Sequence, residues 1–276
     1  MRGFDAAVFF PCSDDTCAAV AANPDDAAGR WPAVAFGIGW NSWALRYERT
    51  LRHLASHGFV VLAPTTADHR TVPRAWEYAQ SLLGALQFAA AESARPDSLL
   101  ASRIDASRCG AFGHSMGAGS AIVAAALSGD PAWAASFART PSWPWGAASL
   151  LDYDAASWVR ISALVTLAPA PVTAPLSAVA GLRARTLFLL AQDDHFVSPA
   201  AQRALFDALP AEASPRALAL LRGGTHCLLD EPPPGGGWGL PSSQCEQAVA
   251  EPGTYMSPQA QVRRSRLMSD ELAQLC

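Results

Sequence analysis

Apolar residues in this chain fall into short unbroken runs, separated by amphipathic or polar stretches. Ala6-Ala7-Val8-Phe9-Phe10 is the first run, and Pro11 stops it. Residues 12–30 are polar and rich in Asp and Gly, which reads as loop. Ala33-Val34-Ala35-Phe36 and Phe59-Val60-Val61-Leu62-Ala63 come next, and a run without polar alternation is what a parallel strand covered on both faces requires. Between them, 44–57 reads as a helix with Leu45, Leu51 and Leu54 apolar and Arg46, Glu48, Arg49 and Arg52 toward water, ended by Gly58. A long helix is predicted over 73–94, then a strand through Arg108–Phe112 and a helix through Ala121–Leu127. Further strands are read at Ala163–Ala168, Thr186–Leu190 and Ala217–Leu221, with a helix over Ala200–Leu209. This alternation predicts an α/β chain, a mostly parallel sheet with helices on both faces. No repeat and no long linker divides it, so 1–276 reads as a single domain. Past Asp230, Pro232–Gly237 is loop, and Ser257–Leu275 reads as a terminal helix with Pro258 in its first turn.

One stretch does not fit the alternation. Segment 131–160 holds four of the nine tryptophans, and its prolines exclude a continuous helix. As an aromatic-rich insertion after the preceding helix it is expected to form a lid or an apolar wall, with Trp143 and Trp145 toward substrate. The alternative is a surface excursion packed on the core.

The chemistry concentrates where strands end. Gly113-His114-Ser115-Met116-Gly117 fits G-x-S-x-G between an apolar strand and an apolar helix. A serine at the tip of so sharp a turn sits at a strained backbone angle, and residues two positions either side must be small to avoid colliding across it. The helix that follows aims its first N–H groups at the same point, where an oxyanion can be stabilised. In parallel sheets, functional groups gather on loops at the carboxyl ends of strands. After the strand at 186–190 comes Asp193-Asp194-His195, and after 217–221 comes Gly223-Gly224-Thr225-His226. The order Ser…Asp…His is that of the α/β-hydrolase arrangement. Ser115 is then the nucleophile, His226 its base, and an Asp orients the imidazole. Met116 N–H is expected as one oxyanion donor, with Ile38 or Gly39 as the second and glycines at 37 and 39 admitting a ligand to the backbone. Trp40 and Trp43 read as wall of the acyl pocket or as core. His114 reads as a packing residue, His195 as a loop residue at the rim, and His53, His57 and His69 as helix-surface or loop residues.

Composition narrows the partners. Net charge is −4 and the pI about 5.8, which gives no footprint for nucleic acid or an anionic membrane. No apolar run reaches membrane-spanning length. All 20 basic residues are arginine. Of six cysteines, Cys109 reads as a buried thiol. Cys12 and Cys17 flank a short turn that a disulfide would close, and Cys227, Cys245 and Cys276 offer a second pair; the other reading leaves all six reduced. No cysteine–histidine spacing matches a zinc site, and neither metal nor cofactor is expected. Met1-Arg2-Gly3 leads straight toward a strand, so no signal peptide is expected in this stretch. A secreted or periplasmic enzyme is the expectation on cysteine content, a cytoplasmic one the alternative, and a monomer is expected.

Trp40-Asn41-Ser42-Trp43, then Leu51–Pro64, then Arg103–Arg108 leading into Gly113–Gly117, resemble the oxyanion loop, helix, strand and elbow of cutinase-like polyester hydrolases, chlorophyllases and dienelactone-hydrolase-like enzymes. The similarity runs from about Phe9 to about Leu228. In that family pattern the acid stands three residues before a hydrophobic residue and shortly before Pro. Asp194, with Val197 and Pro199, fits it better than Asp193. The resemblance implies a carboxylic-ester hydrolase working through an acyl-enzyme on small or polymeric esters. Dienelactone hydrolases carry Cys as nucleophile, so Ser115 disfavours that activity. The loop F-G-I-G-W-N lacks the usual His-Gly or Pro-Gly opening, and the chain between Ser128 and Arg160 is longer than the family's. Haloperoxidase-like chemistry on the same residues, or a hydrolase-fold binding protein without activity, are the other readings.

Overall fold

The apolar runs lie side by side in a computed structural model, which describes residues 5–12, 20–40, 42–65, 75–138, 159–213 and 215–229. In chain order the strands are β1 (Ala6–Phe9), β2 (Trp31–Gly37), β3 (Val60–Pro64), β4 (Ile104–His114), β5 (Ile161–Leu167), β6 (Arg185–Ala191) and β7 (Arg216–Leu221). The helices are α1 (Glu48–Ser56), α2 (Ala75–Ser93), α3 (Met116–Gly129), α4 (Pro131–Ala138), α5 (Leu176–Val179) and α6 (Pro199–Asp207). The sheet runs β1-β3-β2-β4-β5-β6-β7. Only β1 is antiparallel, against β3 (Ala6 opposite Pro64). This is the mostly parallel α/β sheet the pattern predicts.

Successive strand residues point to opposite faces, and the core divides accordingly. Ala33, Ala35, Val60, Leu62, Ala111, Leu164 and Phe188 join α2, α3, α5 and α6 on one face. Val34, Phe36, Val61, Ala63, Phe112, Val165 and Leu187 join α1 on the other. Helix α3 is buried from Met116 to Ser128, which its alanines and glycines permit by keeping it slim. No helix of the described residues is long and apolar enough to cross a membrane.

Two local expectations need correction. The helix expected over 44–57 begins as a 3-10 turn, Ala44–Tyr47, before α1. A repeat of three turns Ala44 and Tyr47 inward and Leu45 outward, so Leu45 is 54% exposed while Arg46, expected in water, is buried. β7 reads as an apolar run, yet it is the sheet edge and half exposed along its length.

Segment 131–160 is described only at its two ends, 131–138 and 159–160. Its first turns form α4, with Ala134 and Phe137 buried and Trp133 stacked on Phe137 at 4.6 Å. Asp130 pairs with Arg183, which precedes β6, at 2.8 Å; Ser128 Oγ accepts from Ile161 N–H and so ties the two roots of the segment together. Both roots lie at the carboxyl end of α3 and the amino end of β5. Helix α3 is roughly 20 Å long, so both roots stand about that far from Ser115. Trp143 and Trp145, and the lid they were expected to form, lie outside the described residues, as do residues 257–275.

Candidate active site

Strand order reverses direction around β2: the chain builds β3 on one side of it and β4 on the other. A crevice opens outside the carboxyl ends of strands at such a switch point. The loop after β2 and the elbow after β4 both arrive there. Ser115, between β4 and α3, has φ +55° and ψ −121°, a conformation that costs about 1–3 kcal/mol for a residue with a side chain. Neighbours fix it. Ser115 N–H donates to Leu167 O at 2.9 Å, and Ser115 O accepts from Ala170 N–H and Gly119 N–H, both at 3.1 Å. The elbow glycines are small for the reason anticipated: a Cβ on Gly113 would stand 2.5 Å from Gly117 O. Gly117 also packs directly on the Gly37 backbone, so Gly37 serves elbow packing.

His226, on the loop after β7, faces the serine. Its Nε2 is 2.8 Å from Ser115 Oγ, and its Nδ1 is 2.8 Å from Asp194 Oδ2. A carboxylate only accepts, so Nδ1 carries the proton and Nε2 receives the Ser115 O–H. All three residues are buried. Asp194, on the loop after β6, accepts at four points. Its Oδ1 takes the Phe196 and Val197 N–H groups, both at 2.8 Å. Its Oδ2 takes His226 and, at 2.8 Å, Gln202 Nε2 from α6. Gln202 also donates to Val197 O at 2.7 Å and has no solvent exposure. Asp193, one residue earlier, is exposed and, among the described residues, makes only a backbone bond, N–H to Gly224 O. His195 is exposed at the rim, and Phe196 lays its ring 5.2 Å from that of His226.

The loop after β2 departs from expectation. Ile38 N–H donates to Tyr78 Oη at 2.7 Å, and Gly39 N–H donates to Tyr47 Oη at 3.0 Å. Neither is therefore available to an oxyanion. The next donor along the loop is Trp40 N–H, which takes no acceptor among the described residues. Met116 N–H opens α3 and has no acceptor within its own helix. Trp40 is 37% exposed and Trp43 half-buried. Among the described residues no group of three or more His, Cys, Asp or Glu could hold a metal ion.

Sequence reading missed Tyr47, Tyr78 and Gln202. The signal for each is a polar tip on an inward face. Gln202 shares its face of α6 with Leu205, and a buried tyrosine hydroxyl seeks a partner. His114 was expected only to pack, yet both of its ring nitrogens are bonded, to Tyr47 Oη and to the His226 carbonyl. Burial pushes the His114 imidazole down to about 3, and neighbouring His226 pushes the same way. Its bond to the His226 carbonyl and the Asp194 charge oppose that shift. Between about pH 6.5 and about 3 the unfolded chain binds a proton here that the folded chain refuses. The stabilisation is thus complete above that window and is lost as pH falls through it. Urea melts at stepped pH should show a slope approaching about 1.4 kcal/mol per pH unit from this residue. His114→Phe should remove that component.

The sheet order, the elbow and the residues gathered at its mouth define an α/β-hydrolase-type protein. A family model described as PETase, PET hydrolase-like, matches residues 17–154, half of the chain. The chain belongs to this family of α/β-hydrolase-type polyester hydrolases. The matched region holds the loop after β2, α1 and the elbow, and stops before Asp194 and His226. No curated protein sequence matches the chain.

Proposed function

We propose that the protein is a serine carboxylic-ester hydrolase that cleaves esters, polyesters among them, through an acyl-enzyme. One observation carries the reading: Ser115 Oγ, at the tip of a strained elbow, lies 2.8 Å from an imidazole whose other nitrogen is held by a buried carboxylate. Ser115 attacks the ester carbonyl as His226 Nε2 takes its proton. Asp194 holds the productive tautomer and stabilises the imidazolium that forms. The tetrahedral oxyanion is stabilised by Met116 N–H and Trp40 N–H, and collapse expels the alcohol with the proton returned by His226. Water then repeats the sequence on the acyl-enzyme.

A polymeric substrate is supported by the rim. Trp40 (37% exposed), Val172 (70%) and Phe196 (46%) stand on the loops after β2, β5 and β6, at the end of the sheet that carries Ser115. Apolar side chains left open to water there suit a long apolar ester. The test is a serine-directed fluorophosphonate, followed by release of soluble acid from an aromatic polyester film. One phosphonyl group on the Ser115 peptide with loss of p-nitrophenyl ester turnover is expected. Labelling elsewhere would sink the assignment, and a film left intact would confine the activity to small esters.

Secretion belongs to the same proposal, and so do disulfides. They are supported by Cys12 and Cys227, whose sulfurs are in bonded form, while Cys109 is a buried thiol. Thiol titration of the denatured, unreduced protein should count at most four of the six cysteines. Reductant should lower the Tm, because a native bridge contributes about 2–5 kcal/mol. A count of six would favour a cytoplasmic enzyme.

A further inference from the structure

The ester mechanism leaves His114, the residue between Gly113 and Ser115, without a task. Its imidazole is 2% exposed. Nε2 lies 2.6 Å from the His226 carbonyl oxygen, and Nδ1 lies 2.9 Å from Tyr47 Oη. A carbonyl only accepts, so Nε2 carries the proton and Nδ1 is a bare acceptor. That fixes the direction of the Tyr47 hydroxyl, which gives its proton to Nδ1 and accepts from Gly39 N–H. A single chain therefore runs from Gly39 N–H to Tyr47, from Tyr47 to His114, and from His114 to the backbone of His226. It starts on the oxyanion loop and ends on the loop of the general base. Its middle member is covalently bonded to the nucleophile.

We propose that His114 and Tyr47 are a positioning pair that locks the oxyanion loop and the histidine loop onto the nucleophile elbow. The inference rests on the Ser115–His226–Asp194 reading above and adds to it a device that holds those parts in one geometry. With Gly39 N–H fixed, the next peptide presents Trp40 N–H in a defined direction. With the His226 carbonyl fixed, the imidazole keeps its reach to Ser115 Oγ.

Packing supports the bonds. A Cβ on Gly39 would stand 2.9 Å from Tyr47 Oη and 3.1 Å from His114 Nδ1, so the loop backbone sits directly on the pair. The His114 ring centroid lies 5.8 Å from that of Tyr47 and 4.9 Å from that of His226. Tyr47 has no solvent exposure, so water does not replace a lost bond. Tyr78 provides the contrast. It takes the adjacent Ile38 N–H, but its own hydroxyl ends on Pro64 O, away from the histidine loop. A neutral His114 protonated on Nε2 leaves Nδ1 as the acceptor of the Tyr47 O–H. Burial favours that neutral form.

The test is a double-mutant cycle of Tyr47→Phe, His114→Phe and both together, with Ser115→Ala alongside. Each is assayed for kcat and KM on a soluble p-nitrophenyl ester. Each single variant should lower kcat by about 10- to 100-fold, because a small misplacement of reacting groups is that costly. KM should stay within about twofold, as for an interaction that acts on the transition state. The double variant should be no slower than the slower single one, since the two act through one network. Wild-type kcat in both singles, or losses that multiply in the double, would overturn the pairing while Ser115→Ala stays inactive. If Ser115→Ala keeps activity, the catalytic reading fails and this inference with it. Should His114→Phe not fold, the nitrogen-15 spectrum of the wild-type histidines decides. It should show a neutral His114 protonated on Nε2 from about pH 5 to about pH 8. A proton on Nδ1, or titration inside that range, would refute the pair.

Discussion

Ser115→Ala should reduce ester turnover by a factor on the order of a millionfold, the loss that removal of a nucleophile brings where the rest of such a triad survives. What remains would come from binding and from the Met116 and Trp40 donors. The fold should hardly change. Ser115 Oγ makes its bond to His226 Nε2, while the elbow itself is held through backbone: Ser115 N–H to Leu167 O, and Ser115 O from Ala170 and Gly119. Alanine keeps all of these and inherits the same strain at φ +55°. Glycine does not. Ser115→Gly should be equally inactive yet melt higher than Ser115→Ala, by an amount equivalent to roughly 1 kcal/mol, because glycine adopts positive φ without steric cost. Kinetics and melting curves of the two variants separate chemistry from strain. An alanine variant retaining a tenth of the wild-type rate would show that the nucleophile is elsewhere.

What the chain reveals before folding depends on how local each cause is. The apolar runs that become β3, β5 and β6 announce themselves, since burial on both faces leaves no room for polar alternation. The elbow is equally plain, because the collision that excludes a side chain at Gly113 arises within five residues. The strand-end rule brings Asp194 and His226 to the same mouth from 79 and 111 residues away, and the second span is the one bridged by hydrogen bond. Long-range polar partners are a different matter. Gly39 to Tyr47 looks like a neighbour contact within one loop and helix. Tyr47 to His114 spans 67 residues, and His114 to the His226 carbonyl spans 112. No periodicity encodes such pairings. The misplaced oxyanion donor has the same origin. Ile38 and Gly39 have the right position along the loop, but two buried hydroxyls from other elements had already taken their N–H groups. Arg46 and Leu45 were misread for a simpler reason, since a 3-10 start shifts which residues face inward.

The two adjacent aspartates give the second large effect. Asp194→Asn should lower kcat by roughly ten-thousandfold, and the hydrogen bonds around the carboxylate say why. Asp194 accepts on Oδ2 from His226 and Gln202, and on Oδ1 from the Phe196 and Val197 N–H groups. Every one of these neighbours is a donor when His226 is in its productive tautomer. An asparagine must turn its own NH₂ toward one pair or the other. Facing His226, it drives the imidazole into the tautomer that carries its proton on Nε2, and that nitrogen then has no lone pair for the Ser115 proton. Facing the loop, it sets NH₂ against two backbone N–H groups, which costs about 1–3 kcal/mol per unsatisfied buried donor and loosens the turn that aims the carboxylate. Neither rotamer escapes. Among the described residues Asp193 has no such surroundings; its side chain is exposed and its backbone alone is tied, to Gly224. Asp193→Asn should therefore change kcat by no more than about twofold, as expected for a surface substitution. Measured side by side on one soluble ester, a ranking with Asp193 the more sensitive would overturn the assignment of the acid and leave the tie between His226 and Asp194 without a catalytic role.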